Sequence, residues 1–355
     1  SRRDLFERFV KGKKMASQEN IEVLTTVPFP ESVMQQLRTL SPRIRITLIP
    51  ANKVEEIPHE TWQRTEVLYT DILLPDLALV PNLKWVQFHY AGVDYVQGSD
   101  LLNRKELKVT SMSGASAIQE GEYILMMLLG LGHHIQALQL NQEKSEWPAD
   151  RWDRFSPVEL TGSTVGLVGY GSIAREVARL LRPFYVTVLA AKRNVMHPED
   201  QGYTIEGHGD PDGDFFDRLY PIEALGSMLK ECDFVVVTLP LTPQTRGLIG
   251  AEEFKKMKPG AYLVHISRGG IVDEMALMQA LAEKRIAGAA VDVFTREPLP
   301  PENPLWKVPN LIITPHVSGF SPNYKERAGT MFIENLKRYL HAEPLLNEFI
   351  PERAY

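Results

Sequence analysis

The chain has 355 residues, which at about 150 residues per domain suggests two or three domains. Hydrophobic residues make up 44% and charged residues 24%, which excludes a mainly disordered chain. Lys and Arg number 39 against 45 Asp and Glu, a net charge of −6, so there is no general positive field for gripping phosphate backbones and no nucleic-acid partner is expected. The one cysteine, Cys232, can form neither an internal disulfide nor a cysteine-built metal site. No metal is expected, and a reducing, cytoplasmic location is.

The N-terminal stretch to residue 19 is basic but lacks an apolar core, so it reads as an arm without assigned function and not as a signal peptide. Short apolar runs then alternate with helical patterns. Strands are expected at Ile21–Leu24, Ile44–Leu48, Val67–Thr70, Leu83–Phe88 and Leu107–Ser111. A helix is expected over Pro30–Leu40, with Val33, Leu37 and Leu40 on one face. Tyr123–Leu131 is strongly apolar but too short for about 30 Å of hydrocarbon, so it reads as a buried helix and no membrane association is expected. Residues 141–157 are polar and carry Trp147, Pro148, Trp152 and Pro157, the composition of a surface connector.

A second series of strands follows at Thr164–Gly169, Val186–Ala191, Phe234–Leu239, Ala261–Ile266, Gly288–Phe294 and Leu311–Thr314. Helical patterns at Ile173–Leu181, Ile222–Glu231, Glu252–Met257 and Glu274–Lys284 lie between them, as in a doubly wound dinucleotide-binding domain. Residues 197–220 are long for a connection. Asp210–Asp214 has the look of a calcium loop, but such a loop would need Gly at 215 and Glu at 221, where Phe215 and Pro221 stand. A solvated acidic insertion is expected instead.

The first strand of this series runs into Gly169-Tyr170-Gly171-Ser172-Ile173-Ala174. Gly169 suits a tight turn, Gly171 lets backbone approach a pyrophosphate, and Ala174 lets the helix pack closely. The helix N-terminus, with Ser172 and Ile173, would meet the phosphates. The next strand ends in Lys192-Arg193, about 20 residues on, where an NAD site usually places an acid for the ribose hydroxyl. Two cations and no acid suit a 2′-phosphate, so NADP(H) is expected over NAD(H).

Three later segments end apolar strands beside the expected nicotinamide: His265–Asp273, Val291–Pro300 and Ile313–Gly319. They carry a cation, Arg268, a carboxylate, Glu297, and an imidazole, His316. Reduction of a 2-oxo acid needs all three: Arg268 for the substrate carboxylate, His316 as acid and base at the carbonyl oxygen, and Glu297 to fix the imidazole tautomer. Asp292 is a candidate acceptor for the nicotinamide carboxamide. Taken singly, each of these residues has an ordinary structural alternative.

With Leu83–Gln87 leading to Ala91-Gly92-Val93-Asp94, Leu239–Thr245, and Glu334-Asn335-Leu336 through Glu343–Asn347, these segments stand in an order that resembles the D-isomer-specific 2-hydroxyacid dehydrogenase family from about Ile21 to Phe349. The resemblance implies Arg268, Glu297 and His316 as the catalytic residues. It implies backbone around Ala91, Gly92 and Val93, with Arg268, at the substrate carboxylate. It implies Leu239, Pro240, Thr245, Ile266, Ser267, Asp292 and Ser318 at the cofactor, beside Gly169, Gly171, Ser172, Ile173, Lys192 and Arg193. The family fold is α/β, two Rossmann/flavodoxin-like parallel-sheet domains with the cofactor domain inserted into the substrate domain. The expected boundaries are 1–130 with 320–355 for the substrate domain and 131–319 for the cofactor domain, with the active site in a closing cleft.

Departures from the family pattern are Ala174 for the third glycine, Tyr185 for a common glycine, Lys192 for aspartate, His265 for asparagine, and Glu120 where a small or apolar residue is usual. Thr70, Tyr90, Phe320 and Tyr324 are candidates for substrate side-chain selection by loop position, with packing as the favoured alternative for each. The expected substrate is a small 2-oxo or D-2-hydroxy acid of glyoxylate or hydroxypyruvate type. With no regulatory domain expected after Tyr355, phosphoglycerate is less expected. A homodimer is expected from the resemblance. The alternative is a nicotinamide-sensing, corepressor-like binding protein on the same fold, which retains the same triad.

Overall fold

The computed structural model describes residues 20–96 and 98–350, so the N-terminal arm lies outside the described residues. The strands are β1 (Ile21–Thr25), β2 (Ile44–Leu48), β3 (Val67–Thr70), β4 (Trp85–Phe88), β5 (Lys108–Thr110), β6 (Thr164–Val168), β7 (Thr187–Lys192), β8 (Arg218–Pro221), β9 (Phe234–Val237), β10 (Tyr262–His265), β11 (Gly288–Val291) and β12 (Leu311–Ile313). The α-helices are α1 (Glu31–Thr39), α2 (His59–Arg64), α3 (Ala117–Gly132), α4 (Ile135–Glu143), α5 (Arg151–Arg154), α6 (Ser172–Leu181), α7 (Leu225–Leu229), α8 (Ala251–Lys256), α9 (Glu274–Ala282) and α10 (Tyr324–Leu340). Five strands form one parallel sheet, in the order β2-β1-β3-β4-β5. Seven form another, β12-β11-β10-β9-β6-β7-β8, also parallel throughout.

The chain divides into two compact units. One contains residues 20–89, Tyr95–Thr110 and Ala328–Glu348; the other contains Tyr90–Asp94, Ser111–Arg327 and the residues from Phe349. The chain therefore leaves the first unit and returns to it, as an inserted domain requires. The divisions fall after Thr110 and Arg327, where 130 and 320 were expected. Packing accounts for the first shift. α3 crosses α6 so closely that a Cβ on Gly121 would stand 2.8 Å from Glu176 Cγ, so α3 belongs with the second sheet.

In the first unit, β1, β3 and β4 are buried almost throughout, the pattern of a sheet covered on both faces. α1 buries Val33, Met34 and Leu37. Phe332 of α10 sits 4.6 Å from the Tyr69 ring and 5.6 Å from Trp85. Buried polar groups there are chained together: Trp85 Nε1 donates to Thr110 Oγ1 at 2.8 Å, and that hydroxyl donates to Gln87 Oε1 at 2.8 Å. Asn335 Nδ2 donates to the same Gln87 oxygen at 3.0 Å, and Leu346 N–H donates to Asn335 Oδ1 at 2.8 Å. The Glu334–Leu336 and Glu343–Asn347 segments are thus a structural latch within this unit.

In the second unit the apolar runs feed both faces of the sheet by alternation. Val235, Val237, Leu189 and Ala191 enter one cluster with Met228, Phe254 and Leu277. Phe234, Val236, Val188 and Ala190 enter the other with Ile124, Leu128 and Val177. Each of the valine, leucine, isoleucine, methionine and phenylalanine side chains among them contributes about 1.5–3 kcal/mol by leaving water. Gly166 in β6 is required here, because a Cβ would collide with Cys232 Sγ. That thiol donates to Met228 O at 3.1 Å, and burial pushes its pKa up to about 12.

Three elements differ from expectation. Arg218–Pro221 forms a seventh strand; only Leu219 and Tyr220 between the exposed Arg218 and Pro221 are half-buried, too short an apolar run to mark it. The helix expected over Ile222–Glu231 is a 3₁₀ turn followed by α7. The insertion before β8 is not a solvated loop, because Asp210 is buried at 1% exposure. Its Oδ1 accepts from the N–H groups of Gly213 and Asp214, both at 3.0 Å, and its Oδ2 accepts from Phe215 N–H at 3.1 Å and from the Tyr170 hydroxyl at 2.6 Å. Residues 141–157 stay at the surface, with Trp147 and Trp152 exposed. Among the described residues no single helix is long and apolar enough to cross a membrane.

Candidate active site

β6 lies between β7 and β9, so the chain direction across the sheet reverses at β6, where a crevice opens beyond the strand ends. Gly169 leaves β6 with φ 96°, a left-handed conformation that favours glycine. Gly171 is the N-cap of α6 and supplies no side-chain cap, and a Cβ built on it would meet nothing within 4 Å. The first N–H groups of α6, from Ser172 and Ile173, thus face open space beside a bare backbone turn. That is a fit for a pyrophosphate, on the evidence of the cradle itself. Leu239 packs against Gly169, and Thr238 Oγ1 donates to Gly169 O at 3.1 Å. Thr245 Oγ1 donates to Pro240 O at 2.7 Å, closing the loop after β9.

Lys192 ends β7 half-buried and Arg193 follows exposed. Lys192 Nζ donates to His197 O at 2.6 Å. Burial, then the nearby Arg175 charge, lower its pKa, while Asp200 and Glu199 oppose them. Those two carboxylates have partners of their own: Asp200 lies 3.6 Å from Arg175 Nε, and Glu199 lies 3.1 Å from His197 Nδ1.

The three catalytic candidates follow three neighbouring strands: Arg268 after β10, Glu297 after β11 and His316 after β12. His316 Nδ1 and Glu297 Oε2 are 2.7 Å apart, with side chains 44% and 35% exposed. The other glutamate oxygen accepts from Phe294 N–H at 2.8 Å, which fixes the carboxylate plane. His316 has φ 53°, and its N–H donates to Asp292 O at 2.9 Å, so its loop holds it in an unfavourable conformation. Asp292 is fully buried. Its Oδ1 accepts from the Thr314 hydroxyl at 2.6 Å and Val317 N–H at 2.9 Å, and its Oδ2 accepts from Ser318 N–H at 2.9 Å. It anchors the histidine loop on both sides of the ring.

Arg268 stands on the loop after β10. Gly269 makes that loop possible, because a Cβ would collide with Phe294 O. Arg268 Nη1 donates to Ser267 O at 2.8 Å and Nε to Asp94 Oδ1 at 3.4 Å. Its Nη2 donates no hydrogen bond among the described residues and lies against Gly92, where a Cβ would collide with it. The structure therefore brings the Ala91–Val93 backbone to Arg268. Ser267 Oγ donates to Val237 O at 3.2 Å, and Ile266 is buried beside it. His265 is buried, its Nδ1 3.3 Å from Ser267 Oγ, and burial lowers its pKa to about 4, so it brings no charge to the site at neutral pH. Of the side-chain selectors, Tyr90 and Tyr324 stack at 6.1 Å, and Phe320 is exposed.

Two functional contacts escaped the sequence reading. Asp94 was legible only as part of a motif, and its pairing with Arg268 depends on a fold that joins positions 174 residues apart. Arg175, buried in α6, hydrogen-bonds Asp210 O at 2.5 Å and Pro198 O, and its guanidinium lies 4.7 Å over the Tyr170 ring. A charged residue one position beyond Ala174 was the available signal.

Comparison with known proteins agrees with this geometry. The family model described as D-isomer specific 2-hydroxyacid dehydrogenase, NAD binding domain, matches residues 125–318. The glyoxylate reductase of Thermofilum pendens is 32% identical over 270 residues, 74% of this chain and 74% of that protein. The D-3-phosphoglycerate dehydrogenase of Methanocaldococcus jannaschii is 31% identical over 252 residues, 71% of this chain but 44% of that protein, so the chain matches less than half of that relative's length. A D-isomer specific 2-hydroxyacid dehydrogenase from Xanthobacter autotrophicus, solved with NADPH and MES, superposes with a TM-score of 0.76 at 26% identity, covering 95% of this chain and 100% of that one. The family model spans more than half of the sequence and the Thermofilum pendens relative about three quarters of it, and the chain belongs to the D-isomer specific 2-hydroxyacid dehydrogenase family.

Proposed function

We propose that the protein is a reductase of small 2-oxo acids, of glyoxylate or hydroxypyruvate type, and the reverse D-2-hydroxyacid dehydrogenase, with NADP(H) favoured over NAD(H). The observation that carries this is the 2.7 Å His316–Glu297 pair, whose second carboxylate oxygen is already fixed by backbone, on the same strand ends as an arginine with an uncommitted nitrogen.

The residues act as follows. Arg268 Nη2, with backbone N–H groups at Gly92 and Val93, binds the substrate carboxylate. His316 Nε2 donates a proton to the C2 oxygen during reduction and removes it during oxidation. Glu297 Oε2 accepts from Nδ1, which places the transferable proton on Nε2 and offsets the ring's charge when both nitrogens are protonated. A bound nicotinamide supplies or accepts the hydride at C2. Its phosphates would rest on Gly169, Gly171, Ser172 and Ile173, its adenosine side near Leu239, Pro240 and Thr245, and its carboxamide near Ile266, Ser267, Ser318 and Asp292 Oδ2. Lys192 and Arg193 would meet the 2′-phosphate. Support for a homodimer comes from the exposed apolar residues Met126, Ile135, Leu138 and Leu140 on α3 and α4.

The test is loss of NADPH or NADH absorbance with glyoxylate, hydroxypyruvate, pyruvate and oxaloacetate. Turnover with NADPH exceeding that with NADH is expected. No turnover with any of the four refutes the activity, and equal rates with NADH refute the cofactor preference.

A further inference from the structure

The reaction above leaves one carboxyl group in this site without a task. Glu120 lies in the first turn of α3, and its Oε2 accepts from the Ser116 hydroxyl at 3.2 Å. Its Oε1 accepts no hydrogen bond among the described residues and stands 3.0 Å from where a Cβ on Gly319 would be. Gly319 is three residues beyond His316, and the neighbouring Gln119 ties that loop down through Nε2 to Gly319 O at 2.8 Å. Arg327 in turn holds Gln119 Oε1 at 2.5 Å. Glu120 is thereby fixed against the histidine loop with one oxygen unspent.

The charged and titratable groups acting on it come from three elements: Arg268 after β10, Asp292 after β11, and Tyr324 opening α10. Burial, reinforced by Asp292 and opposed by Ser116 and Arg268, raises its pKa to about 7. Burial and the charges of Glu120 and Tyr90 likewise raise the pKa of the Tyr324 phenol.

We propose that Glu120 reads the substituent on carbon 3 of the substrate, accepting a hydroxyl and rejecting a second anionic group. This rests on Arg268 holding the C1 carboxylate. A single guanidinium, already shared with Asp94, offers no counter-charge for another anion. A carboxyl group donates to a hydroxyl when protonated and accepts from it when ionised, so a hydroxyl suits both states. A carboxylate or phosphate is opposed by the ionised form through like-charge repulsion in a partly desolvated site.

The experiment compares hydroxypyruvate with oxaloacetate in the wild type and in Glu120→Gln, between pH 6 and 9. The wild type favours hydroxypyruvate in kcat/KM, and the preference widens as pH rises through about 7, where Glu120 ionises. Glu120→Gln raises the oxaloacetate-to-hydroxypyruvate ratio about tenfold or more and removes its pH dependence. Gly319→Ala, which puts a methyl against Oε1, moves the ratio the same way by less. A ratio that neither substitution changes overturns the assignment while leaving the reductase activity standing. A wild type that reduces neither acid overturns the activity and, with it, this inference.

Discussion

Two groups of charged side chains occupy the second unit, and they are built in opposite ways. Around α6, Arg175, Glu176 and Asp210 are each 1% exposed, and carbonyls, N–H groups, Tyr170 and Arg179 meet most of their polar atoms, with Arg175 Nε left 3.6 Å from Asp200 and without a hydrogen bond among the described residues. At the ends of β10, β11 and β12, Arg268, Asp94, Glu297 and His316 are 32–44% exposed and keep unspent atoms, Arg268 Nη2 and His316 Nε2 among them. Buried charge is costly unless it is paired and hydrogen-bonded, so the first group is arranged to hold an insertion in place and has few atoms left for a ligand. The second group gives up that completeness and retains atoms that can meet a substrate. Burial and residual valence, not residue type, set the two clusters apart.

The comparison can be broken most severely at His316. His316→Ala should lower kcat by about 10²–10⁴-fold, read by NADPH oxidation, while the melting temperature and cofactor affinity stay near wild type. Retained turnover would place the acid elsewhere. Asp210→Asn should show the reverse signature: a loss of about 1–3 kcal/mol of stability, because it removes a charged acceptor from the Tyr170 hydroxyl and the Gly213, Asp214 and Phe215 N–H groups and one of two carboxylates near Arg175, with the chemical step little altered. Burial opposes ionisation of Asp210, but the Tyr170 hydroxyl, the Asp214 and Phe215 N–H groups and Arg175 outweigh it and hold its pKa below the usual carboxylate range. The folded carboxyl then binds its proton less tightly than the unfolded one. Its stabilisation is complete above the unfolded pKa of about 3.9 and is lost as pH falls below it. Thermal melts between pH 3 and 7 should lose part of their acid-side slope in the variant.

The smallest effect sharpens the boundary between the two groups. Lys192 lies on the buried side, bonded to His197 in the insertion, yet ends the strand that should face the adenosine ribose. Lys192→Asp should move the NADPH-to-NADH ratio of kcat/KM toward NADH by about tenfold, with little change in kcat. An unchanged ratio would assign Lys192 wholly to the insertion.

Both sheets were legible because parallel strands covered on two faces are near-continuously apolar, and Phe234–Val237 and Thr164–Val168 are runs of strand length between helical patterns. Arg268, Glu297 and His316 could be singled out only together, because each follows such a strand in the order that resembles the family's pattern. β8 was not legible, since Arg218–Pro221 lies half-exposed at a sheet edge and needs little hydrophobicity. Nor was the burial of Asp210. Its composition is that of a solvated turn, and only the turn's own N–H groups, together with an arginine 35 positions earlier, make burial affordable. The division after Thr110 was equally hidden, since it depends on the close approach that Gly121 permits between two helices.

Cys232 turns the sequence's lone sulfhydryl into a gauge of opening. With Gly166 beneath it, Met228 O as its acceptor and its pKa near 12, it offers no thiolate to an alkylating reagent while the sheet is closed. Any labelling must wait for α7 to lift from β6, so the rate of modification counts excursions of the nucleotide-side unit out of its native packing, at a site that takes no part in turnover.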